Sequence, residues 1–162
     1  MLHTAASEVA PRNSRAAEGI SMWNLFEGPT AGYAEQCYYA KTAADSDGWG
    51  MAVLADTESE HAVCVRFDTS TMPWFVLWKN TQADADGYVA GLEPGSSFPN
   101  LRTVERREGR VIQLAAGQSV TFRLSMEVAG NRREVRNLLD EVTALQVATP
   151  RVVHSSPKPQ WV

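Results

Sequence analysis

Short runs in which apolar and polar residues alternate every second position follow one another from residue 34 to residue 128. Alternation of this period places successive side chains on opposite faces of a strand. It predicts seven strands. The first runs from Ala34 to Lys41, with Glu35, Cys37 and Tyr39 on one face and Gln36 and Tyr38 on the other. Asp45-Ser46-Asp47-Gly48 is a turn, because Asp-Gly takes the positive φ angles of tight hairpins. Strands follow over Trp49–Ala55, His61–Asp68, Pro73–Lys79 and Tyr88–Glu93, then Arg110–Ala115 and Gln118–Val128 joined at Ala116-Gly117. In the third of the seven, Val63, Val65 and Phe67 oppose Cys64 and Arg66. In the seventh, Val120, Phe122, Leu124 and Met126 alternate with Thr121, Arg123, Ser125 and Glu127.

The period changes once. Val135, Leu138, Leu139, Val142 and Leu145 recur at helical spacing, after a capping arrangement of Asn131 and Glu134. A helix over 131–148 is therefore expected, stopped by Pro150. Residues 1–32 show little periodicity and are expected as an extended arm or loop carrying the apolar cluster Met22, Trp23, Leu25 and Phe26. Residues 149–162 are expected as a frayed or extended tail. The pattern predicts an all-β fold over 33–130, a mostly antiparallel β-sandwich or part of one, with one C-terminal helix. No internal repeat is present.

Composition narrows the function. The chain has 162 residues and a formal net charge of -4, which argues against a nucleic-acid binder working by bulk charge. No apolar run approaches a membrane span, and the first residues lack the basic and apolar segments of a secretory signal. Cys37 and Cys64 have no metal-ligand spacing. They are expected as buried thiols in a reducing compartment, so a cytoplasmic location is the default. A disulfide between them requires neighbouring strands and an oxidising compartment. None of His3, His61 and His154 has a second metal ligand at a useful spacing, and no phosphate loop or serine nucleophile elbow occurs. Neither metal nor cofactor is expected. Asp45-Ser46-Asp47-Gly48 lacks the later ligands of a calcium loop and is read as a turn.

The stretch Tyr88–Asn100 is the most informative. An apolar run ends in Glu93, and the proline that follows holds that residue extended. Gly91 shares the face of Glu93 and leaves space beside it. An acid so placed is either a ligand-binding or catalytic carboxylate or a solvated strand end. Trp74, Val76 and Trp78 share one face of their strand, with Phe75, Leu77 and Lys79 on the other. Two tryptophans on one face form either a platform for a sugar ring or a sandwich core. Lys79 and Asn80 can donate to hydroxyls, and Glu35 can accept from a polyol; each is also a plausible strand-end surface group. Arg102, Arg106, Arg107 and Arg110 form a basic run suited to an anionic group such as a sugar phosphate, or simply a solvated loop.

The segments Tyr88–Asn100 and Gly109–Ser119, supported by Glu35–Tyr38 and Trp78–Asn80, resemble the C-terminal part of the aldose 1-epimerase (galactose mutarotase-like) superfamily, in an uncharacterised bacterial branch. The resemblance spans roughly residues 8 to 147. It implies a supersandwich of largely antiparallel strands that binds a sugar on one sheet. It implies that Glu93 matches the base that takes the proton of the anomeric hydroxyl, while a histidine protonates the ring oxygen. Glu35 is similar to the acid that holds sugar hydroxyls. Trp78, Lys79, Asn80, Asn100 and Arg102 are the further candidate substrate contacts, and a small-molecule sugar or sugar derivative is the expected partner. The family's histidine lies in a His-x-x-Asn-like segment that this sequence does not contain, and the role does not pass to His3, His61 or His154. Family members are longer, so the chain is expected to be a C-terminal portion. A partial sandwich is expected to expose sheet edges that pair with another chain.

Overall fold

A computed structural model describes residues 1–162. Its elements in order are β1 (Leu2–Thr4), β2 (Ala6–Pro11), α1 (Ser14–Glu18), β3 (Gln36–Thr42), β4 (Trp49–Ala55), β5 (Ala62–Asp68), β6 (Trp74–Asn80), β7 (Val89–Gly95), α2 (Arg102–Arg107), β8 (Leu124–Ala129), α3 (Arg132–Val147) and β9 (Val152–Val153). Two sheets result. One has the order β1-β4-β5-β8, the other β7-β6-β3-β2-β9. All neighbours are antiparallel except β9, which runs parallel to β2. This is the expected sandwich, with the helix at its C-terminal side.

Three apolar layers follow from the alternation. Between the sheets lie Val65 and Phe67 of β5 and Tyr38, Phe75 and Leu77 of β3 and β6, with Leu2 and Val9 from the N-terminal strands. On the outer face of the four-stranded sheet, Met51, Val53 and Cys64 meet Val135, Leu138 and Val142 of α3. On the outer face of the five-stranded sheet, Tyr39, Val76 and Phe98 pack with Trp161. The α3 stripe faces its sheet because the helix starts where predicted: Asn131 accepts from the Glu134 N–H, and Glu134 accepts from the Gly130 N–H. The Asp45 turn is also as read, with Asp45 Oδ1 accepting from the Asp47 and Trp49 N–H groups.

Residues 1–32 differ from the expected arm. Two strands, α1 and a 3-10 turn occupy them, and Ala5, Ala6, Val9, Ala10 and Ala16 are buried. Small alanines carry almost no strand signal of their own, yet they suit backbones packed close between layers. The tail differs too. Val152 and Val153 extend the five-stranded sheet, and Trp161 is buried against Trp74 and Phe98. The strand expected over Arg110–Ala115 does not form, and the seventh starts at Leu124 rather than Gln118. Alternation reports a period, but a strand needs a partner for its N–H and C=O groups. β8 begins at Leu124 opposite Phe67 of β5, one residue after the Arg123 carbonyl accepts from the Asp68 N–H. Cys37 and Cys64 are buried free thiols on different sheets. No helix is long and apolar enough to cross a membrane.

Candidate functional site

Register fixes which side chains can act together. Val76 stands opposite Glu93, Trp78 opposite Gly91, and Cys37 opposite Trp78. The Arg12 N–H donates to the Cys37 carbonyl, which continues the same row onto the next strand. Arg12, Cys37, Trp78 and Gly91 thus form one line across the outer face, about 14 Å from end to end at the ordinary strand spacing. Glu93 joins this line by folding back. A Cβ built at Gly91 would fall 2.3 Å from Glu93 Oε1, so the carboxylate occupies the place of the missing side chain. Glu93 as a residue is exposed, but its carboxyl is partly enclosed there, and burial pushes its pKa above the usual carboxylate range.

At the far side of the indole, Trp78 Nε1 donates to Glu35 Oε2 at 2.8 Å. Asn80 lies two residues beyond Trp78 on the same face, and its Oδ1 is buried without a partner. Burial pushes the Cys37 thiol upward, with Arg12 working against this and the charges of Glu35 and Glu93 adding to it. By register Arg12 lies beside Cys37, and Glu35 precedes Cys37 by two residues. Arg12 has no carboxylate within ion-pair distance.

Beside Glu93 opens a cavity of about 310 Å³ bounded by Ser97, Asn100, Arg102 and Glu105. Arg102 is exposed, begins α2 and makes no ion pair. Asn100 builds the wall: it accepts from the Tyr39 hydroxyl at 2.9 Å, and its amide donates to Glu105 Oε1 and the Trp161 carbonyl. Glu105 also receives the Phe98 N–H and both Arg110 Nε and Nη2. Burial raises the Glu105 pKa, but the hydrogen bonds from Arg110 and Asn100 and the Arg110 charge outweigh it and hold the carboxyl below its ordinary value. Burial similarly drives the Tyr39 hydroxyl up to about 12.

Lys79 does not join these residues. It has the parity of Leu77, not of Val76, so it projects from the opposite face, 3% exposed, with Nζ donating to the Met22 carbonyl and lying over the Phe26 and Tyr38 rings. The expected run Arg102, Arg106, Arg107 and Arg110 is split as well: Arg110 is committed to Glu105, and Arg107 pairs with Glu108. The histidines stand elsewhere. His3 is in the four-stranded sheet, His61 follows a turn and meets Asp56, and His154 meets Glu8 beside β9. β9 and β7 are opposite edges of their sheet, four spacings or about 19 Å apart. Arg12 was missed in the sequence. Its signal is the alternation Glu8, Ala10, Arg12, hidden in a stretch that reads as an arm.

No curated protein matches the chain. The structure is similar to a crystal structure, at 1.90 Å resolution, of a putative aldose 1-epimerase from Klebsiella pneumoniae subsp. pneumoniae MGH 78578, with 28% sequence identity and a TM-score of 0.92. The match covers 96% of this chain and 41% of that one, so the chain spans less than half the length of that relative. This likeness bears out the resemblance to the aldose 1-epimerase superfamily and its sandwich fold. Residues 1–128 match the model of an uncharacterised family, and over that stretch, most of its 162 residues, the chain belongs to the family described as Domain of unknown function (DUF4432).

Proposed function

We propose that the outer face of the five-stranded sheet binds an aldose, with Glu93 as the base for interconversion of its anomers. The observation that carries this reading is the Glu93 carboxylate seated over Gly91, level with Trp78. The likeness to the Klebsiella protein supports it. The apolar face of a pyranose stacks on the Trp78 indole. Glu35 Oε1 accepts from one ring hydroxyl, and Arg12, Asn80 and Arg102 supply further polar contacts around the ring. Glu93 takes the proton of the anomeric hydroxyl, and the bond between C1 and the ring oxygen breaks. The ring oxygen takes a proton from water, and C1 turns about its bond to C2. On closure the attacking hydroxyl gives its proton back to the hydroxide while Glu93 returns its proton to the C1 oxygen. That leaves the other anomer, water and the free carboxylate. A carboxyl whose pKa is raised is a stronger base for the first step, provided the pH stays above it.

The positions of the histidines favour a second reading, binding of a sugar or sugar phosphate without efficient turnover. No imidazole approaches Glu93, and His154 is engaged with Glu8 at the far edge. Two measurements separate the readings. Tryptophan fluorescence across an aldose panel reports binding, and NMR exchange between anomers reports turnover. Saturable quenching that Glu93→Gln weakens, with exchange above the buffer rate, supports the epimerase reading. Quenching with exchange at the buffer rate supports binding alone. Absence of any response to aldoses and their phosphates sinks both.

A further inference from the structure

The segment after α3 runs over the same face of the five-stranded sheet that carries Glu93. It enters at the β9 edge, where Val152 and Val153 pair with β2. Glu8 of β2 holds it there, accepting from Lys158 Nζ and meeting His154 Nε2 at 2.7 Å. Lys158 Nζ also lies 4.2 Å from the centroid of the Trp161 ring. Trp161 in turn reaches Trp74 of β6, three strands in from β9. There it is 5% exposed and shares one apolar cluster with Ala10, Tyr39, Val76 and Phe98. Val76 stands opposite Glu93, and Val76 and Phe98 both line the cavity beside that carboxylate.

We propose that Trp161 is a positioning residue for the Glu93 site, acting through Asn100 and Phe98; this rests on the reading of that face as an aldose site. Both N–H donors of the Asn100 amide are spent, one on Glu105 Oε1 and one on the Trp161 carbonyl at 2.7 Å, while its Oδ1 accepts from Tyr39. A side chain tied to three partners does not turn toward a sugar; it fixes the wall against which the sugar sits. The Trp161 ring packs on Phe98 with centroids 5.2 Å apart, and the Phe98 N–H is the group that Glu105 holds. Arg110, the ion partner of Glu105, also donates through Nη1 to the Gln160 carbonyl. The segment thus grips the wall by one ring and two main-chain carbonyls, and releasing it frees Asn100 and Phe98 together. The coupling is reciprocal by linkage, so a bound aldose tightens the segment that shapes its site.

Calorimetric titration of the full chain with D-glucose, D-galactose and D-mannose reads affinity without relying on the tryptophan that is replaced. Trp161→Leu is expected to weaken binding about tenfold, the worth of one hydrogen bond in the wall. Trp161→Phe keeps a ring on Phe98 and is expected to stay within about twofold. Amide hydrogen exchange gives a readout that a merely structural role would not move. In Trp161→Leu the Phe98 N–H is expected to exchange at least about tenfold faster while the amides of β4 and β5 keep their rates. In the unaltered protein, bound sugar is expected to slow exchange at the Trp161 N–H, which donates to the Lys158 carbonyl. Should Trp161→Leu not fold, Lys158→Gln carries the same expectations, since it removes the tie to Glu8 and the charge over the Trp161 ring. Unchanged exchange at Phe98 overturns the proposal. So does full affinity in the variant, or exchange in β4 and β5 that quickens by the same factor as at Phe98. If the unaltered chain binds none of these sugars, the aldose reading fails, and exchange at Phe98 still decides whether Trp161 fixes the wall.

Discussion

Glu93 Oε1 stands where the side chain of Gly91 would begin, 2.3 Å from the position of a Cβ. The contact is with the far end of a flexible side chain, and Gly91 has no left-handed φ. Alanine therefore fits the strand backbone without strain, and the carboxylate must leave. Gly91→Ala is expected to leave the melting temperature unchanged or slightly raised, since alanine loses less backbone freedom on folding. Aldose affinity, followed by tryptophan fluorescence, is expected to fall about tenfold, the worth of one charge-assisted hydrogen bond. Equal losses of stability and affinity would show that Gly91 serves packing rather than the position of Glu93.

Partial burial gives Glu93 a testable signature in pH. Its folded pKa is raised, so the folded state holds this proton more tightly than the unfolded chain does. Stability from this group is greatest below the unfolded value, about 4.3, and declines as pH rises through the raised folded value. At neutral pH the ionised carboxyl is therefore a small penalty. Glu93→Gln is expected to raise the melting temperature at pH 7 by about 1 °C, given the size of the chain, while removing any anomer exchange. In the unaltered protein, exchange is expected to fall with acid at a pH above the ordinary carboxylate midpoint. A midpoint at or below the ordinary value, measured by NMR exchange, contradicts the enclosure of this group.

The sequence exposed some of this site and concealed the rest for physical reasons. β5 and β6 were legible because Val, Phe and Trp alternate there with polar residues. β1 and β2 were not, because alanines suited to close packing have little strand propensity. Arg12 was lost with them. Parity already separated Lys79 from Trp78, but parity alone does not say which face looks inward; that depends on the second sheet. Residues 110–115 and 118–122 alternate like strands but join neither sheet, which is a property of topology rather than of local sequence. Glu93 was legible because proline, glycine and an acid in succession restrict the backbone and leave a gap at once.

Lys79 provides a control on the opposite face. Its ammonium is buried with a carbonyl and two rings but no carboxylate in ion-pair contact, and burial lowers its pKa. A lysine lowered in the folded state costs stability at neutral pH, and that cost disappears as pH rises through the folded value toward the unfolded one. Lys79→Met keeps the aliphatic stem and removes the charge. Its unfolding free energy is expected to be unchanged or higher by about 1 kcal/mol, and aldose affinity is expected to stay within about twofold, below the worth of one hydrogen bond. A large loss of affinity with stability intact would place Lys79 in the binding site after all.

The ion pair of Glu105 and Arg110 links the stability of the fold to the shape of the cavity beside Glu93. The two side chains are 2% and 8% exposed, and the pair is bidentate. Glu105 also holds the Phe98 N–H and the Asn100 amide, so it fixes the loop that forms the cavity wall. Glu105→Gln leaves the Arg110 charge buried without its counter-charge. The expected loss is about 3 kcal/mol, or about 10 °C in melting temperature for a chain of this size. The acid profile carries the same information. The folded pKa of Glu105 is lowered, so its contribution is complete above the unfolded value of about 4.3 and is lost as pH falls from there through the folded value. Between those limits the unaltered protein should lose stability more steeply than Glu105→Gln. Because the wall moves with the pair, aldose affinity is expected to decline in the variant even at temperatures where it is fully folded. Parallel acid profiles for the two proteins, measured by tryptophan fluorescence, would show that Arg110 is held by its neighbours and not by the charge of Glu105.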